Sequence, residues 1–144
     1  MSILLALALA EATTGALTIT VGNVRNSRGT VMVDICPENR FLEDTCANHG
    51  EAPARAGTTT VTVQNLPTGQ YAVQAFHDEN ANGEVDRAMF GIPREGVGFS
   101  RNARIGLGPP KWRDAVFNHQ ARAEAIRFDL RYFMGAKGPA PSRK

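Results

Sequence analysis

Short runs in which apolar and polar residues alternate recur along this chain, and they restrict the fold more than any other feature. Successive side chains of a β-strand point to opposite faces of a sheet, so an alternating run places its apolar residues on one face. Four such runs are carried by Leu17, Ile19 and Val21; by Val31, Val33 and Ile35; by Val61 and Val63; and by Ile126, Phe128 and Leu130. Turn-forming residues follow the first and third runs: 26–29 are typical of a hairpin turn, and 65–69 bend the chain between two strands. The chain is therefore predicted to be all-β, an antiparallel β-sandwich of about seven strands with long loops at one end.

The size and charge of the chain fit a single globular domain. Its 144 residues are enough to bury a hydrophobic core without extra covalent or metal cross-links. Lysines and arginines number 16 against 14 aspartates and glutamates, which leaves a formal net charge of +2. Because nucleic-acid binding needs a concentrated basic surface, we expect no nucleic-acid partner.

The first ten residues, MSILLALALA, form an uninterrupted apolar segment that ends in Ala8, Leu9 and Ala10. Small residues at the last and third-last positions before a polar stretch are typical of a signal-peptidase site, and ten apolar residues are too few to span a bilayer. We interpret 1–10 as a signal peptide that lacks the usual lysine or arginine; a buried N-terminal strand or helix is the alternative. The predicted mature chain comprises a sandwich domain at 11–134 and a disordered tail at 135–144. We expect it to have no membrane span and to be periplasmic or secreted.

Two cysteines agree with an oxidising compartment. Cys36 and Cys46 flank the segment PENRFLEDT, and two such thiols usually pair where the environment is oxidising. Neither belongs to a Cys-x-x-Cys motif of the kind that binds zinc. We predict a disulfide between them; two free, buried thiols are the alternative.

The segment FHDENANGEVD, from Phe76 to Asp86, follows a predicted strand and matches part of a Ca²⁺-binding loop. That loop takes ligands at positions 1, 3, 5, 7, 9 and 12 and a glycine at position 6. Numbered from Asp78, the oxygen ligands at positions 1 to 9 are Asp78, Asn80, Asn82, the backbone carbonyl of Glu84, and Asp86, with Gly83 at position 6. Position 12 holds Met89 instead of a bidentate glutamate. We therefore predict weak Ca²⁺ binding, with a dissociation constant of roughly 10⁻⁴ to 10⁻³ M.

The same residues also suit a tight turn that binds no ligand. Asp, Asn and Gly adopt positive φ readily, and Asp and Asn side chains hydrogen-bond to the nearby backbone. The sequence thus leaves two interpretations of Phe76 to Asp86, a cation loop and a plain turn.

A second irregular segment runs from Gly91 to Arg104, GIPREGVGFSRNAR. Long irregular loops in a compact domain are uncommon and often functional. A ligand-binding loop here would involve His77, Gly91, Pro93, Glu95, Phe99, Ser100 and Asn102. The alternative is a well-packed loop of the Ω type without a ligand.

Three segments, FHDENANGEVD (76–86), GIPREGVGFSRNAR (91–104) and GPPKWRDAVF (108–117), together resemble a family of exported bacterial proteins, domain of unknown function 2141. The resemblance covers about Leu17 to Phe133. It implies a small periplasmic or secreted β-sandwich of the transthyretin-like or immunoglobulin-like type. The segment LPTGQYAVQAF (66–76) is similar to a strand and turn of transthyretin-like and carboxypeptidase-regulatory-like modules. The resemblance implies no activity.

Two functional hypotheses follow. The favoured one is an exported, non-catalytic module with a Ca²⁺ loop and a loop end that binds an envelope protein or a glycan. The other is a small metal-assisted periplasmic hydrolase, in which His77, Asp78 and Asp86 would hold a cation that polarises the substrate. The surroundings of Ser100 lack the second glycine of a nucleophile elbow, so we assign no catalytic residue.

Overall fold

The computed structural model describes residues 13–84 and 93–141. Within these ranges the chain forms eight β-strands, two short 3₁₀ helices and one four-residue α-helix. The strands are β1 (Thr14–Val24), β2 (Thr30–Cys36), β3 (Asn48–Pro53), β4 (Gly57–Pro67), β5 (Gly69–Asp78), β6 (Val97–Phe99), β7 (Phe117–His119) and β8 (Glu124–Asp129). The 3₁₀ helices are Glu38–Arg40 and Ser100–Asn102, and α1 is Trp112–Ala115.

The strands form two sheets that pack face to face. The smaller sheet has the strand order β4-β1-β8, and the larger has the order β3-β2-β5-β6. The short strand β7 also belongs to the larger sheet, because it pairs with the first residues of β5 while β6 pairs with later ones. This arrangement confirms the predicted all-β sandwich, with eight strands in the described part of the chain where about seven were expected.

The predicted alternating runs supply the core between the sheets. The apolar members of the first two runs are essentially fully buried; they are Leu17, Ile19, Val21, Val31, Val33 and Ile35. In the last run Phe128 and Leu130 are buried, and Ile126 is partly buried against the same cluster. Burial of each large aliphatic or aromatic side chain contributes about 1.5–3 kcal/mol. These runs therefore supply much of the driving force for folding.

One strand pairing is parallel. Strand β8 runs alongside β1 from the Leu17–Glu124 pair to the Gly22–Asp129 pair. The chain reaches β8 from β7, which lies in the other sheet, so it crosses between the sheets before it joins β1. Such a crossover can deliver a strand in the parallel direction, whereas a tight hairpin joins strands only in the antiparallel direction.

The Ser100–Asn102 helix and α1 cover part of the outer face of the larger sheet. A small second cluster forms there from Ala72, Ala103 and Ala115, with Phe41, Phe99 and Trp112 packed against it. The Phe41 ring contacts Phe99 and Trp112 edge-to-face, with centroid distances of 6.0 and 5.7 Å. The cluster therefore fixes the loop after β2 and the segment after β6 over strand β5.

Cys36 and Cys46 form the predicted disulfide, with their Cα atoms 5.5 Å apart. It ties the end of β2 to the loop that leads into β3. The free-thiol alternative is thereby excluded.

The described start of the predicted tail contacts the domain. Asn23 Nδ2 donates to the carbonyl of Lys137 at 2.8 Å, and Lys137 Nζ donates to the carbonyl of Tyr132 at 3.0 Å. At the other end of the chain, the predicted signal peptide at 1–10 lies outside the described residues. In the described ranges, none of the helices has the length and apolar character needed to cross a membrane.

Candidate functional site

The predicted cation loop begins at the last residue of β5, Asp78, which is only 2% exposed. Its Oδ1 accepts a hydrogen bond from the backbone N–H of Asn82 at 3.1 Å, and its Oδ2 accepts one from Gly83 at 2.7 Å. The carboxylate thus closes the turn that follows the strand. Because an ionised carboxylate has about four acceptor sites, both oxygens retain a lone pair beyond these two hydrogen bonds.

The two asparagines extend the same pattern. Asn80 Oδ1 accepts from the N–H of Asn82 at 3.4 Å, and Asn82 Oδ1 accepts from the N–H of Glu84 at 2.9 Å. Gly83 has a φ of +79°, as the sharp bend at position 6 of a cation loop requires. These contacts fit a Ca²⁺ loop and a ligand-free turn equally. Ca²⁺ binding by this loop therefore stays a prediction.

Two predicted site residues, Asp86 and Gly91, lie outside the described residues. Within 13–84 and 93–141, no group of three or more His, Cys, Asp and Glu side chains is arranged to hold a metal ion. Of the two carboxylate side chains predicted as Ca²⁺ ligands, the structure therefore describes only that of Asp78.

Beneath the loop, Glu79 forms a two-pronged ion pair with Arg25, which directly follows β1. Arg25 Nε donates to Oε1, and Nη2 donates to Oε2 at 2.9 Å. The two side chains are only 12% and 16% exposed, and Asn26 Nδ2 donates a further hydrogen bond to Glu79 at 3.1 Å. The hydrogen bonds from the Arg25 guanidinium lower the pKa of Glu79, and the same contact raises the pKa of Arg25. Glu79 is therefore ionised and held under the loop.

The pair continues into an aromatic and imidazole network. The Arg25 guanidinium lies 4.5 Å from the centre of the Tyr132 ring, within the range of a cation–π contact. The Tyr132 hydroxyl oxygen accepts the backbone N–H of Arg25 at 2.9 Å and lies 2.9 Å from Nδ1 of His77. Burial raises the pKa of Tyr132 to about 12, so the hydroxyl keeps its proton and can donate it to Nδ1.

The other ring nitrogen of His77 is also engaged. Nε2 lies 2.7 Å from the backbone carbonyl of Arg28, and a carbonyl can only accept, so Nε2 carries a proton. The His77 side chain is fully buried. His77 therefore supports the loop from below and is not placed to bind a cation or to act as a general base.

The predicted ligand loop meets the predicted cation loop at this network. Glu95 is 4% exposed, and its Oε2 accepts the backbone N–H of Glu79 at 2.6 Å. The backbone N–H of His77 donates to the carbonyl of Gly96 at 2.8 Å. Gly96 lies so close to Tyr132 that a Cβ atom there would come within 2.5 Å of the ring. The segment that begins at Pro93 thus docks directly on the base of the Asp78 loop.

Three further residues of the predicted ligand loop anchor their segment to the domain. Ser100 Oγ accepts the N–H of Val73 at 3.0 Å and donates to the carbonyl of Ala115 at 2.6 Å. Asn102 Oδ1 accepts the N–H of Asp129 at 2.8 Å. The third, Phe99, packs in the aromatic cluster on the outer face. Their observed contacts are internal to the protein.

Arg25 and Tyr132 were not among the site residues predicted from the sequence. They are 107 residues apart and belong to no motif, so no local pattern connects them. One signal was available, because Arg25 adjoins the turn at 26–29 and β2 pairs with β5 from Thr30 opposite Asp78. That register brings the turn beside the loop.

These features define a small, disulfide-bonded β-sandwich whose candidate site is a polar loop at the end of a central strand. The chain belongs to the family described as an uncharacterized protein conserved in bacteria (DUF2141), whose model matches residues 19–127. The match includes the whole Asp78 loop and confirms the resemblance found in the sequence. Comparisons with curated proteins and with solved structures gave no significant match.

Proposed function

We propose that this protein is an exported, non-catalytic β-sandwich module whose 78–86 loop binds Ca²⁺ and whose loop end engages an envelope protein or a glycan. One observation carries the proposal: a nearly buried carboxylate, Asp78, opens a tight loop in which Asn80, Asn82 and Gly83 take the positions of a Ca²⁺ loop. Carboxylate, amide and carbonyl oxygens are the ligands that a hard cation prefers.

The rigid base under the loop supports a binding role. Glu79 is held by Arg25, and the adjacent segment is held through Glu95, so the start of the loop is ordered before any ligand arrives. A site that is already ordered loses less conformational entropy when it binds. A stable base therefore favours cation binding even where the ligand set is incomplete.

The internal contacts of the candidate catalytic groups favour binding over catalysis. His77 uses both ring nitrogens within the protein, and Ser100 uses its hydroxyl between Val73 and Ala115. A general base or a nucleophile needs a free lone pair within reach of substrate. His77 is therefore not available for the role that the hydrolase hypothesis gives it.

Two observations support the location and the partner surface. Disulfides form and persist mainly in oxidising compartments, so the Cys36–Cys46 bond favours export. The Asp78 loop, the turn at 26–29 and the segment after Pro93 meet at one end of the sandwich. Clustered loops on a rigid scaffold are common sites for partners, which is why we place the envelope protein or glycan there.

Thermal melting of the purified protein in EDTA and in Ca²⁺ tests the cation loop. The concentrations should run from about 0.1 to about 10 mM, because this range spans the predicted affinity. At ten times the dissociation constant, binding stabilises the folded state by about 1.4 kcal/mol, which is about 4–6 °C in melting temperature for a domain of this size.

Asp78→Asn is the decisive variant, because it removes the charge and keeps one of the two oxygens that accept backbone hydrogen bonds from Asn82 and Gly83. We expect this variant to lose the Ca²⁺ response. Asp114→Asn, on the exposed surface of α1, is the matched control and should keep it. If Ca²⁺ raised the melting temperature equally in both variants, or did not raise that of the parent protein at any concentration, the loop would be a plain turn.

A further inference from the structure

A groove of about 510 Å³ lies on the outer face of the larger sheet. One wall comes from the disulfide-bonded loop after β2, and the opposite wall comes from the Asp78 loop at Gly83 and Glu84. Strands β2, β5 and β6 form the floor. The volume falls in the range of about 300–1,000 Å³ that is usual for small-ligand sites.

The groove is acidic. Four of its lining residues carry carboxylates, namely Asp34, Glu43, Asp44 and Glu84; of these, Glu43 is ion-paired with Arg40 at 2.9 Å. The part of the lining that the structure describes contains no lysine, arginine or histidine. Because these carboxylates stand in a concave surface, their field is focused into the groove and attracts cations.

Asp34 shows that the acidic character is built into the floor and is not a property of the rim alone. This residue is 6% exposed, and its Oδ1 accepts the backbone N–H of Cys46 at 2.9 Å. Its second oxygen, Oδ2, has no hydrogen-bond donor among the described residues. Burial raises the pKa of Asp34, and the nearby Asp44 adds to this effect; the Cys46 hydrogen bond and His49, which lies opposite Asp34 on β3, offset it only in part. A cation in the groove would provide that compensation.

The spacing of the acids favours an organic cation over a metal ion. Within the described ranges, no three acidic, histidine or cysteine side chains converge as metal ligands, and this holds for the groove. Half-buried Phe76, Val97 and Phe99 lie between the acidic walls. Ca²⁺ requires six to eight oxygen ligands around one point, whereas a charged group on a carbon chain can use dispersed carboxylates and phenyl rings together.

We propose that this groove binds an organic cation, an ammonium or guanidinium group on a short carbon chain, with Oδ2 of Asp34 as its principal acceptor. Asp44 and Glu84 attract the cation from the rim, and Phe76 and Phe99 contact the carbon chain. The same chemistry is offered by a free amine or guanidine and by the lysine or arginine side chain of a peptide. The principal acceptor lies outside the Ca²⁺ loop, since Asp34 belongs to β2.

Titration of ¹⁵N-labelled protein with butylguanidinium, in EDTA, tests the groove. We expect the amide resonances of Asp34, Gln74 and Phe76 to shift in a saturable way. Butylurea, which has nearly the same shape and no charge, should leave them unchanged. Saturable shifts of equal affinity with butylurea would contradict the proposal, because the acids would then have no role.

Asp34→Asn tests the principal acceptor. We expect it to weaken butylguanidinium binding at least about tenfold, since a desolvated charge pair is worth more than 1.4 kcal/mol. Its amide oxygen can still accept from Cys46, so the loop remains supported. Asp114→Asn makes the same chemical change outside the groove and should bind like the parent protein. Equal affinity in both variants would overturn the assignment.

A second variant tests the groove independently of any folding defect in Asp34→Asn. Asp44→Asn removes one rim charge from an exposed position and should weaken binding a few-fold. If this variant binds as well as the parent, the rim attraction is wrong and the proposal fails with it. Ca²⁺ that produced the same shifts and displaced butylguanidinium would likewise contradict it, because the groove would then be a metal site.

The source of the cation is resolved by a blocked peptide, acetyl-Gly-Arg-Gly-amide. Tighter binding of the peptide than of butylguanidinium supports a protein partner, and weaker binding supports a free small cation. Asp34→Asn separates this proposal from the Ca²⁺ proposal. Because Asp34 lies in β2 and outside the 78–86 loop, this variant should weaken butylguanidinium binding and keep the Ca²⁺ response. Loss of both responses would contradict the assignment of two separate sites.

Discussion

Two carboxylates, Glu79 just after β5 and Asp34 in β2, meet opposite electrostatic surroundings. The Arg25 guanidinium lowers the pKa of Glu79, whereas burial raises the pKa of Asp34, against the smaller opposing effects of the Cys46 hydrogen bond and of His49. Ionised Glu79 therefore stabilises the fold, and ionised Asp34 opposes it. Groups whose ionisation is unfavourable in the free protein, and which line a cleft, are candidates for ligand binding.

Asp34→Asn is expected to stabilise the ligand-free protein at neutral pH. Because the folded state raises the pKa of Asp34, it holds the proton more tightly than the unfolded chain does. Stability therefore falls as the pH rises from the unfolded value, about 3.9, through the raised folded value, and it stays lower above that window. The variant avoids this loss and should melt a few degrees higher near pH 7.

Melting temperatures of the parent protein and the variant, measured between about pH 3 and pH 8, check whether the variant is the more stable of the two. The difference should shrink as the pH falls below about 4, where Asp34 is protonated in both states. Groups that do not interact with Asp34 contribute equally in the two proteins and cancel; His49, which lies opposite it on β3, and Asp44 do interact with it. A variant that is less stable at every pH would show that the charge of Asp34 is compensated in the free protein.

For single residues, the sequence predicts burial better than it predicts which side chains are in contact. Alternation correctly placed Val33 and Ile35 in the core, which also put Asp34 on the outer face of β2. It gave no means to find the contact between Arg25 and Tyr132, since that contact depends on the path of the chain after β8. Long-range polar pairs leave no periodic signal in a single sequence.

Strand β5 organises the site at the scale of elements. It pairs with β2 on one edge and with β6 and β7 on the other, and it ends at Asp78. The turn between β1 and β2 packs against that end, because Gly29 lies beside the carbonyl of Asp78. The loop is therefore supported by two elements that are distant in sequence.

Gly29→Ala should destabilise the packing of this turn against the Asp78 loop, and it should cost more than a Gly→Ala change at an open position with positive φ. Gly29 has a φ of +69°, and a Cβ atom there would lie 1.9 Å from the carbonyl oxygen of Asp78. The left-handed backbone costs about 1–2 kcal/mol for alanine, and the overlap adds about 1–3 kcal/mol. We expect a loss of about 3 kcal/mol in the free energy of unfolding, measured by urea denaturation.

Gly57→Ala is the matched control. Gly57 also has a positive φ, +91°, but a Cβ atom there would meet nothing within 4 Å. It should lose only the backbone contribution of about 1–2 kcal/mol. Equal losses in the two variants would mean that the turn does not bear on the Asp78 loop.

Strands with strong alternation were predictable, and β3 and β6, which lack it, were not. Residues 48–53 read NHGEAP, which has almost no apolar periodicity, yet they form β3 against β2. Strand β6 likewise lies within a segment whose composition indicates an irregular loop. Both form because a neighbouring strand offers an unpaired edge, and that opportunity is a property of the sheet and not of the segment.

For the whole molecule, alternation predicts two facing sheets but not which strands become neighbours. The pattern assigns a face to each residue, and any strand with the same pattern could take the same place. The parallel pairing of β1 with β8 depends on a crossover from the other sheet. Turn signals at 26–29 and 65–69 correctly placed bends in the chain, because bends are encoded by adjacent residues. The hairpin expected at 26–29 is wrong, since that turn joins β1 and β2 of different sheets.

The disulfide acts on the whole molecule through the unfolded chain. Cys36 and Cys46 are separated by 10 residues, and closing a loop of this size removes conformational entropy from the unfolded state. The chain-entropy model gives a stabilisation of about 3 kcal/mol. The Cys36→Ser and Cys46→Ser double variant should therefore unfold at lower urea concentration, with a loss of about that size in the free energy of unfolding.

The same variant also tests whether the disulfide shapes the groove. The loop that it closes carries Glu43 and Asp44, and Cys46 donates to Asp34. If the bond acts only on the unfolded state, the folded variant should bind butylguanidinium like the parent protein. Weaker binding in a variant whose amide spectrum remains dispersed would show that the bond also holds the wall of the groove in the folded state. Because stability and affinity are measured separately, each outcome assigns the bond to one role or to both.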